Sequence, residues 1–389
     1  MTAVPGELRV AVASSGLGHI ARGIETWAGD LGEALHVRRV AVRLYQGGGP
    51  APAYGEALAN LPRESEANYR WRHRLPRSVA WRLQAHAAYQ MEQTTFAWSL
   101  LRALRRDRAD ILHVQDPVVA YRLEQFRRMG LLRTRTILAH GTEEPPAWLM
   151  KLRYLQHLAP THLERCRAQG AWRPTWTAIG NFVDTDRFQP GSAAELRAEL
   201  GIAADARVVL AVAAIKRAHK RIDWLANAVA RYRSEHPDMP VVLVVAGGRE
   251  GDTDDVIHEA TAQLGDSVRF LVRYPRERIP ALFRVADVFV MASLFEMMPI
   301  ALLEATASGL PCITHDEATL RWMTGAGGIA TDMSDAAAFG AAMHRLLEND
   351  QDRRALGVAA RKHAVSEFGT EPILQQILAY YRAVLADTP

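Results

Sequence analysis

The chain has 389 residues, of which 49% are hydrophobic and 23% charged, as in a globular protein with more than one domain. No apolar run approaches the roughly 20 residues that a membrane-spanning helix needs. Cys166 and Cys312 are too few and too far apart for a disulfide framework or a metal site. Because the N-terminus also lacks the apolar core of a signal peptide, we expect a cytoplasmic protein.

The net charge of +4 hides two halves of opposite sign. Residues 1–180 contain 25 Lys+Arg against 15 Asp+Glu, and the remainder contains 22 against 28. Arginine alternates with tryptophan around residues 70–82. The first interpretation of this stretch is an ordinary solvated helix face. The second is peripheral contact with an anionic membrane, at its inner face, or with an anionic acceptor. We expect no nucleic acid as a partner.

The first elements form a strand–helix–strand unit. Residues 8–14 predict a buried strand, residues 14–25 a glycine-bearing loop, and the spacing of Ile24, Trp27, Leu31 and Leu35 an amphipathic helix. A second strand follows at 37–44, so a parallel sheet is expected. In the rest of the first half, residues 46–80 are predicted to be an irregular Gly/Pro-rich excursion. Residues 81–107 are predicted to be helical, and residues 109–114 and 135–140 are predicted to be strands.

A second series of alternating elements begins after residue 188. The predicted strands are 207–214, 240–246, 267–272, 287–291 and 311–314, and the predicted helices are 221–234, 253–264, 278–285 and 299–308. This alternation predicts a second doubly wound α/β domain. We therefore expect two Rossmann-like domains facing a cleft, with bounds 1–180 and 181–365, followed by an amphipathic helix within 366–389.

Two glutamates eight residues apart flank the predicted start of a helix in the second domain. Glu296 lies in the loop after a strand, and Glu304 lies about two helical turns further on, so both can face one ligand. Unpaired N–H groups at such a helix start attract anions, and the two carboxylates can accept hydrogen bonds from sugar hydroxyls. The alternative is helix-start charge beside a solvated glutamate.

The residues around this pair carry a resemblance. The pattern S-x-x-E-x-x-P-x-x-x-L-E-A-x-A-x-G-x-P, from Ser293 to Pro311, resembles the signature of retaining GT-B glycosyltransferases of family 4 (glycosyl transferases group 1). The segment from Ile179 to Phe188 is similar to that family's crossing between domains. The resemblance implies that the terminal helix crosses back to the first domain. It also implies a sugar contact for Glu296 and a ribose contact for Glu304.

The basic loop after the strand 207–214 is the expected phosphate site. The resemblance assigns the diphosphate of a nucleotide sugar to Lys220, and the arginine usual in the family is Ala214 here, so Lys216 or Arg217 is expected to substitute. Cations there stabilise a departing nucleotide. The alternative is a basic loop that only solvates a helix start.

The other expected site residues rest on the same resemblance. His140 follows a strand in the first domain and corresponds to a histidine at the reaction centre, whereas His113 has a weaker claim. The remaining predicted donor-site residues are Gly23, Gly247, Gly248, Arg273 and the backbone of Met297, Met298, Pro299 and Ile300. Arg22 stands where the family usually has a first glycine.

The resemblance therefore implies a hexosyltransferase that retains the anomeric configuration, and we expect it to be metal-independent. The donor is expected to be a UDP-sugar, with a GDP-sugar next, and the acceptor a hydroxyl compound of polysaccharide, glycolipid or secondary metabolism. No bound cofactor is expected, because the nucleotide sugar is a co-substrate, and no residues show metal-ligand spacing. The alternatives are a GT-B sugar-nucleotide epimerase and a non-catalytic sugar-nucleotide sensor with a basic partner-binding domain.

Overall fold

The computed structural model describes residues 8–20 and 22–387. Contacts divide the protein into two compact units, one with the residues up to Gly180 and those from Leu374, the other from Asn181 to Ile373. The N-terminal residues 1–7, which are predicted to lack a signal peptide, lie outside the described part, as do Ala21 of the first glycine loop and the last two residues of the predicted terminal helix. Within the described residues, no helix has the length and hydropathy needed to cross a bilayer.

The first unit is a parallel sheet with helices between its strands. Its elements are β1 (Arg9–Ser14), α1 (Gly23–Val37), β2 (Ala41–Gln46), β3 (Gly55–Ala57), α2 (Glu66–Arg74), α3 (Arg77–Arg82), α4 (Ala88–Asp107), β4 (Ile111–Val114), α5 (Pro117–Arg128), β5 (Arg135–His140), α6 (Pro146–Leu149), β6 (Tyr154–His157), α7 (Pro160–Ala168) and β7 (Trp176–Ala178). The described strands pair in the order β3-β2-β1-β4-β5-β6-β7. The order reverses at β1, as in doubly wound folds.

Burial explains the first strand–helix–strand unit. In β1 every residue after Arg9 is buried, as expected of a central strand covered on both faces. In α1 the buried side chains include Trp27, Leu31 and Leu35, at spacings of four residues. This apolar stripe holds the helix against the sheet.

The second unit repeats this architecture. Its elements are α8 (Ala194–Glu199), β8 (Arg207–Val212), α9 (Ile222–Glu235), β9 (Val241–Gly247), α10 (Thr253–Leu264), β10 (Val268–Val272), α11 (Ile279–Val285), β11 (Val288–Met291), α12 (Ile300–Ala307), β12 (Cys312–His315), α13 (Ala318–Thr324), β13 (Gly328–Thr331), α14 (Ala336–Glu348) and α15 (Asp350–Phe368). The described strands pair in the order β10-β9-β8-β11-β12-β13 and are all parallel. The predicted alternation is therefore present, with ends that differ by one or two residues.

The final helix, α16 (Thr370–Ala386), begins in the second unit and belongs to the first unit from Leu374 onward. Tyr381 donates or accepts a hydrogen bond with His113 at 2.8 Å, and the Tyr380 hydroxyl donates to the carbonyl of Thr175 at 2.7 Å. Arg153 forms an ion pair with Asp387 at 2.7 Å. These contacts fix the helix to the strands of the first sheet.

The prediction of an irregular excursion at residues 46–80 is wrong. This stretch contains β3, α2 and the start of α3. The side chain of Ser65 accepts a hydrogen bond from the Asn68 N–H at the start of α2, and the buried Asn68 amide donates to two backbone carbonyls. The helix is thus specified by a cap and a polar anchor rather than by an apolar stripe, which is why hydrophobic periodicity did not indicate it.

Candidate functional site

Neighbouring strands bring two predicted loops of the second unit together. β8 pairs with β11 through Val209 and Val288, and with β9 on its other side. The strands are parallel, so their following loops emerge at the same edge of the sheet, where doubly wound folds bind ligands. The loop after β8 carries Lys220, and the loop after β11 carries Glu296.

Glu296 is a buried carboxylate held between two basic side chains. It is 7% exposed, and its Oε1 accepts a hydrogen bond from Lys220 Nζ at 2.5 Å. His219 Nε2 lies 3.3 Å from the same oxygen. Burial alone would raise the pKa of Glu296. The hydrogen bond from His219 and the charge of Lys220 outweigh burial and lower the pKa to about 2. The group is therefore an ionised acceptor of hydrogen bonds at neutral pH.

Arg221, beside Lys220, supports the two loops instead of facing an open site. Its Nη1 donates to the carbonyls of Ala292 and Met333 at 3.1 and 2.7 Å, and its guanidinium lies 4.5 Å from the centre of the Trp224 ring. Ala292 directly follows β11 and precedes the Glu296 loop. Arg221 thus ties the start of α9 to the segment that positions Glu296.

The structure separates the two candidate substitutes for the missing arginine. Arg217 donates from both terminal nitrogens to Glu259 on α10, at 2.8 and 2.7 Å. Among the described residues, none forms an ion pair or side-chain hydrogen bond with Lys216. The ammonium group of Lys216 thus has no partner among the described side chains, whereas the guanidinium of Arg217 is paired with Glu259 at the surface.

Of the two glycines at the end of β9, only Gly247 has a packing role. A Cβ on Gly247 would lie 1.7 Å from the Ala213 carbonyl oxygen, so only glycine allows the loops after β8 and β9 to approach this closely. A Cβ on Gly248 would meet nothing within 4 Å. Arg273 donates its backbone N–H to the Gly247 carbonyl at 2.8 Å, and its side chain is exposed.

Glu304 lies inside α12 and has an arginine partner that the sequence analysis missed. The carboxylate is 2% exposed and forms an ion pair with Arg276, which opens a short 3-10 helix after β10. The Arg276 guanidinium also lies 5.3 Å from the centre of the Phe188 ring. Arg276 is one of several arginines between β10 and β11, and no spacing rule distinguishes it, so only the tertiary contact identifies it.

The segment before α12 is fixed to the domain boundary. Asn181 donates its backbone N–H to Met298 Sδ at 2.9 Å, and its side-chain amide donates to the Met298 carbonyl at 3.1 Å. Met298 is 5% exposed, whereas Met297 and Ile300 are partly exposed, and Pro299 is the N-cap of α12. The conformation of the loop between Glu296 and α12 is thus set by a residue more than 100 positions earlier.

In the first unit, His140 ends β5 and is held by an acidic residue four positions later. His140 Nε2 lies 3.0 Å from Glu144 Oε2, and the Thr142 hydroxyl donates to the same oxygen. Burial raises the pKa of Glu144, but these hydrogen bonds bring it below its ordinary value. His140 is 4% exposed and faces His157 on the adjacent strand edge to face. Glu144 was not among the predicted site residues.

His113 and Gly23 occupy different surroundings. His113 is fully buried, bonded to Tyr381 and packed against Trp27, and burial lowers its pKa to about 3. It is a neutral core residue. Gly23 is the exposed first residue of α1, and Arg22 precedes it as the N-cap. Across the described residues, no group of three or more His, Cys, Asp or Glu is arranged to hold a metal ion.

The two doubly wound α/β units match solved structures of the GT-B class of fold, as predicted. The fold matches sucrose-phosphate synthase from Thermosynechococcus elongatus with a TM-score of 0.78 over 98% of this chain and 100% of that one, at 20% identity. It also matches Anabaena Alr3699/HepE in complex with UDP-glucose, with a TM-score of 0.73 over 97% of this chain and 100% of that one, at 14% identity.

The sequence comparisons identify the second unit more closely. Residues 206–349 match the family model of glycosyl transferases group 1, which confirms the resemblance carried by Glu296 and Glu304. The D-inositol 3-phosphate glycosyltransferase of Corynebacterium urealyticum is 30% identical over 212 residues, which are 52% of this chain and 50% of that protein. That of Nocardia farcinica is 32% identical over 224 residues, 56% of this chain and 49% of that protein. The chain thus spans about half the length of the curated relatives it matches.

Proposed function

We propose that the protein is a retaining glycosyltransferase that moves a sugar from a nucleotide-sugar donor to a hydroxyl acceptor. The observation that carries the proposal is Glu296, an ionised carboxylate buried between Lys220 and His219 one loop before α12. Glu304 lies in that helix, and the whole arrangement falls within the segment that matches the group 1 family model.

In this proposal the second unit binds the donor. Lys220 and Lys216 hold the diphosphate, Glu296 accepts hydrogen bonds from the sugar hydroxyls, and Glu304 accepts hydrogen bonds from the ribose. Arg217 takes no part, because its guanidinium is paired with Glu259 on α10, whereas the partner of Lys220 is Glu296, itself a residue of the proposed site. Backbone N–H groups of Met297, Met298 and Ile300 assist at the start of α12, whereas Pro299 has no N–H to donate. Gly247, Gly248 and Arg273 line the nucleotide end, and Gly23 lets the first loop approach a phosphate.

The proposed reaction is a front-face displacement. The bond between the anomeric carbon and the diphosphate oxygen breaks, and the acceptor oxygen forms its bond on the same face, so the configuration is retained. The leaving phosphate oxygen takes the acceptor's proton. Negative charge grows on the diphosphate as it departs, and Lys216 and Lys220 stabilise that charge without a metal ion. His140, held by Glu144, contacts the reactive side of the sugar.

A UDP-sugar is the favoured donor, with a GDP-sugar next. The Anabaena protein with this fold has been crystallised with UDP-glucose, and another structural match is a trehalose-phosphate synthase described as UDP-forming, from Burkholderia vietnamiensis, with a TM-score of 0.74 and 16% identity. These likenesses support the choice of donor to test first. The acceptor is a hydroxyl compound of polysaccharide, glycolipid or secondary metabolism.

Calorimetric titration with UDP, GDP and ADP, with and without magnesium, tests the donor site. We expect one nucleotide to bind equally well without metal and Glu304→Ala to weaken it tenfold or more, because a lost hydrogen bond to a charged group costs about 1.5–3 kcal/mol. Lys216→Met should weaken binding, and Arg217→Met, its matched control, should not. Absence of nucleotide binding, or equal effects of these two substitutions, would contradict the assignment.

We also propose that the first unit contacts an anionic membrane through residues 69–83, here called the basic–aromatic segment. Trp71 and Trp81 are 54% and 66% exposed. The basic–aromatic segment contains five arginines and no acidic residue. Exposed tryptophan beside arginine suits the boundary between headgroups and acyl chains, and each cation contributes about 1 kcal/mol near an anionic surface.

Vesicle cosedimentation checks this contact. The wild-type protein should bind vesicles that contain phosphatidylglycerol more strongly than vesicles of phosphatidylcholine alone, and replacing Trp71 and Trp81 with alanine should reduce binding. Trp172→Ala is the matched control, because Trp172 is 41% exposed and lies outside the segment. Equal binding to both vesicle types would refute the contact.

A further inference from the structure

A second cluster of ionisable side chains lies at the edge of the first sheet, apart from His140. Ser15 directly follows β1 and Asp116 lies two residues after β4, and these two strands are adjacent and parallel. Glu25 stands in the first turn of α1, and Glu92 lies on α4. The strand order reverses at β1, which is the position where doubly wound sheets bind ligands beyond the carboxyl ends of their strands.

Hydrogen bonds join these residues into one network around Arg63. Arg63 donates from Nε and Nη2 to Glu92 at 3.1 and 2.7 Å, and from Nη2 to Glu25 at 3.2 Å. The Ser15 hydroxyl lies 2.6 Å from Asp116 Oδ1 and 3.1 Å from Glu92 Oε1. His19 Nε2 lies 3.1 Å from the other Glu92 oxygen. Four separate segments of the unit therefore meet at this network.

The network holds more acid than base. Three carboxyl groups, those of Glu25, Glu92 and Asp116, are at most 2% exposed, and the Arg63 guanidinium forms ion pairs with the first two. Burial, with the Asp116 charge adding to it, raises the pKa of Glu25 to about 7, and burial raises that of Asp116 to about 6. A phosphate placed here would add charge of the sign already in excess, whereas a cation or a neutral hydroxyl would not.

One oxygen in this network has no partner in the described residues. Glu25 Oε2 is buried and accepts no hydrogen bond, although Oε1 of the same side chain is bound by Arg63. A Cβ on Gly16 would lie 2.2 Å from Glu25 Oε1, so any larger residue at position 16 would collide with the carboxylate. Buried carboxylate oxygens are normally satisfied, and an unpaired one at a strand-end position indicates a hydrogen-bond donor that comes from a ligand.

We propose that Glu25, with Asp116 and Glu92 behind it, forms a subsite that receives a hydroxyl or ammonium group of a polyol or amino-sugar acceptor and excludes a phosphate at that position. The inference rests on the proposed transferase function and names its acceptor class. It sets this protein apart from relatives named for D-inositol 3-phosphate. A ligand ammonium group at Glu25 favours the ionised carboxylate, so binding releases protons from that residue near neutral pH.

Calorimetry in the presence of UDP tests the subsite with three probes: 2-amino-2-deoxyglucose, myo-inositol and D-inositol 3-phosphate. We expect the amine to bind best and the phosphate to bind at least tenfold more weakly than the amine. A tenfold difference in affinity corresponds to about 1.4 kcal/mol of binding free energy. Titration at about pH 6, where the amine is already protonated and Glu25 is mostly neutral, should show proton release in buffers of different ionisation enthalpy. The wild-type ranking alone decides the charge preference, so it does not depend on the folding of any variant.

Two variants connect the preference to Glu25. Glu25→Gln should weaken the amine about tenfold and abolish proton release. Glu124→Gln is the matched control, because Glu124 is equally buried at 2% but pairs with Arg127 and Arg128 on α5. Tighter binding of the phosphate than of the amine, binding of none of the probes, or equal behaviour of the two variants would overturn the proposal. Nucleotide binding measured in the same samples separates this failure from failure of the transferase proposal.

Discussion

Replacing Lys220 with methionine measures how strongly the cation holds Glu296. The pKa of Glu296 is about 2 against its usual 4.5, and this difference corresponds to about 3 kcal/mol of stability above pH 4.5. His219 supplies part of it, and Lys220 is 21% exposed to screening solvent. We therefore expect Lys220→Met to lower the free energy of unfolding by about 1–2 kcal/mol.

Urea unfolding at neutral pH measures this loss, with Lys216→Met as the control because Lys216 pairs with no described side chain. The difference between the variants should shrink as the pH falls from 4.5 toward 2, since a carboxyl whose folded pKa is depressed loses its stabilising ionisation in that window. Both substitutions should weaken nucleotide binding. Equal unfolding free energies for the two variants would refute the argument that the ion pair stabilises the fold.

Two further predictions concern the scaffold. Gly247→Ala should destabilise the protein by about 1–3 kcal/mol in urea unfolding, because the added Cβ would collide with the Ala213 carbonyl. Gly248→Ala is the control and should change stability little. Similar losses at both glycines would contradict the packing role of Gly247. Tyr381→Phe should cost about 1–3 kcal/mol by leaving His113 Nδ1 buried without its partner at 2.8 Å, and a neutral result would show that the terminal helix does not depend on this bond.

Hydrophobic periodicity predicted many of the elements that bury an apolar face, but it did not indicate the buried strand β6 or the helix α5. The five predicted strands of the second unit and the helix with Trp27, Leu31 and Leu35 have the predicted type and nearly the predicted ends. It failed at residues 46–80, because α2 buries a polar anchor, Asn68, and leaves most of its other side chains in solvent. Such a helix shows no amphipathic stripe, so its existence depends on capping and on contact with α4.

The sequence by itself determined which residues follow each strand and therefore lie in the loop at its end. It placed Glu296 and Glu304 eight residues apart across a helix start and Lys220 after β8, because the periodicity of strand, loop and helix is a property of neighbouring residues. The alternation indicated two doubly wound domains, and the resemblance of the segment from Ser293 to Pro311 indicated the GT-B fold class and the group 1 family segment, which the comparisons confirm.

Only the tertiary structure decided which side chains meet. Lys220 reaches Glu296 across 76 residues, and Ser15 reaches Asp116 across 101. The sequence could not show that Arg217 pairs with Glu259 on another helix while Lys216 pairs with no described side chain. Nor could it show that Glu25 lies buried with an unpaired oxygen. Which side chains pair, and which are removed from water, depends on how distant segments pack. The spacing of residues along the sequence does not predict either.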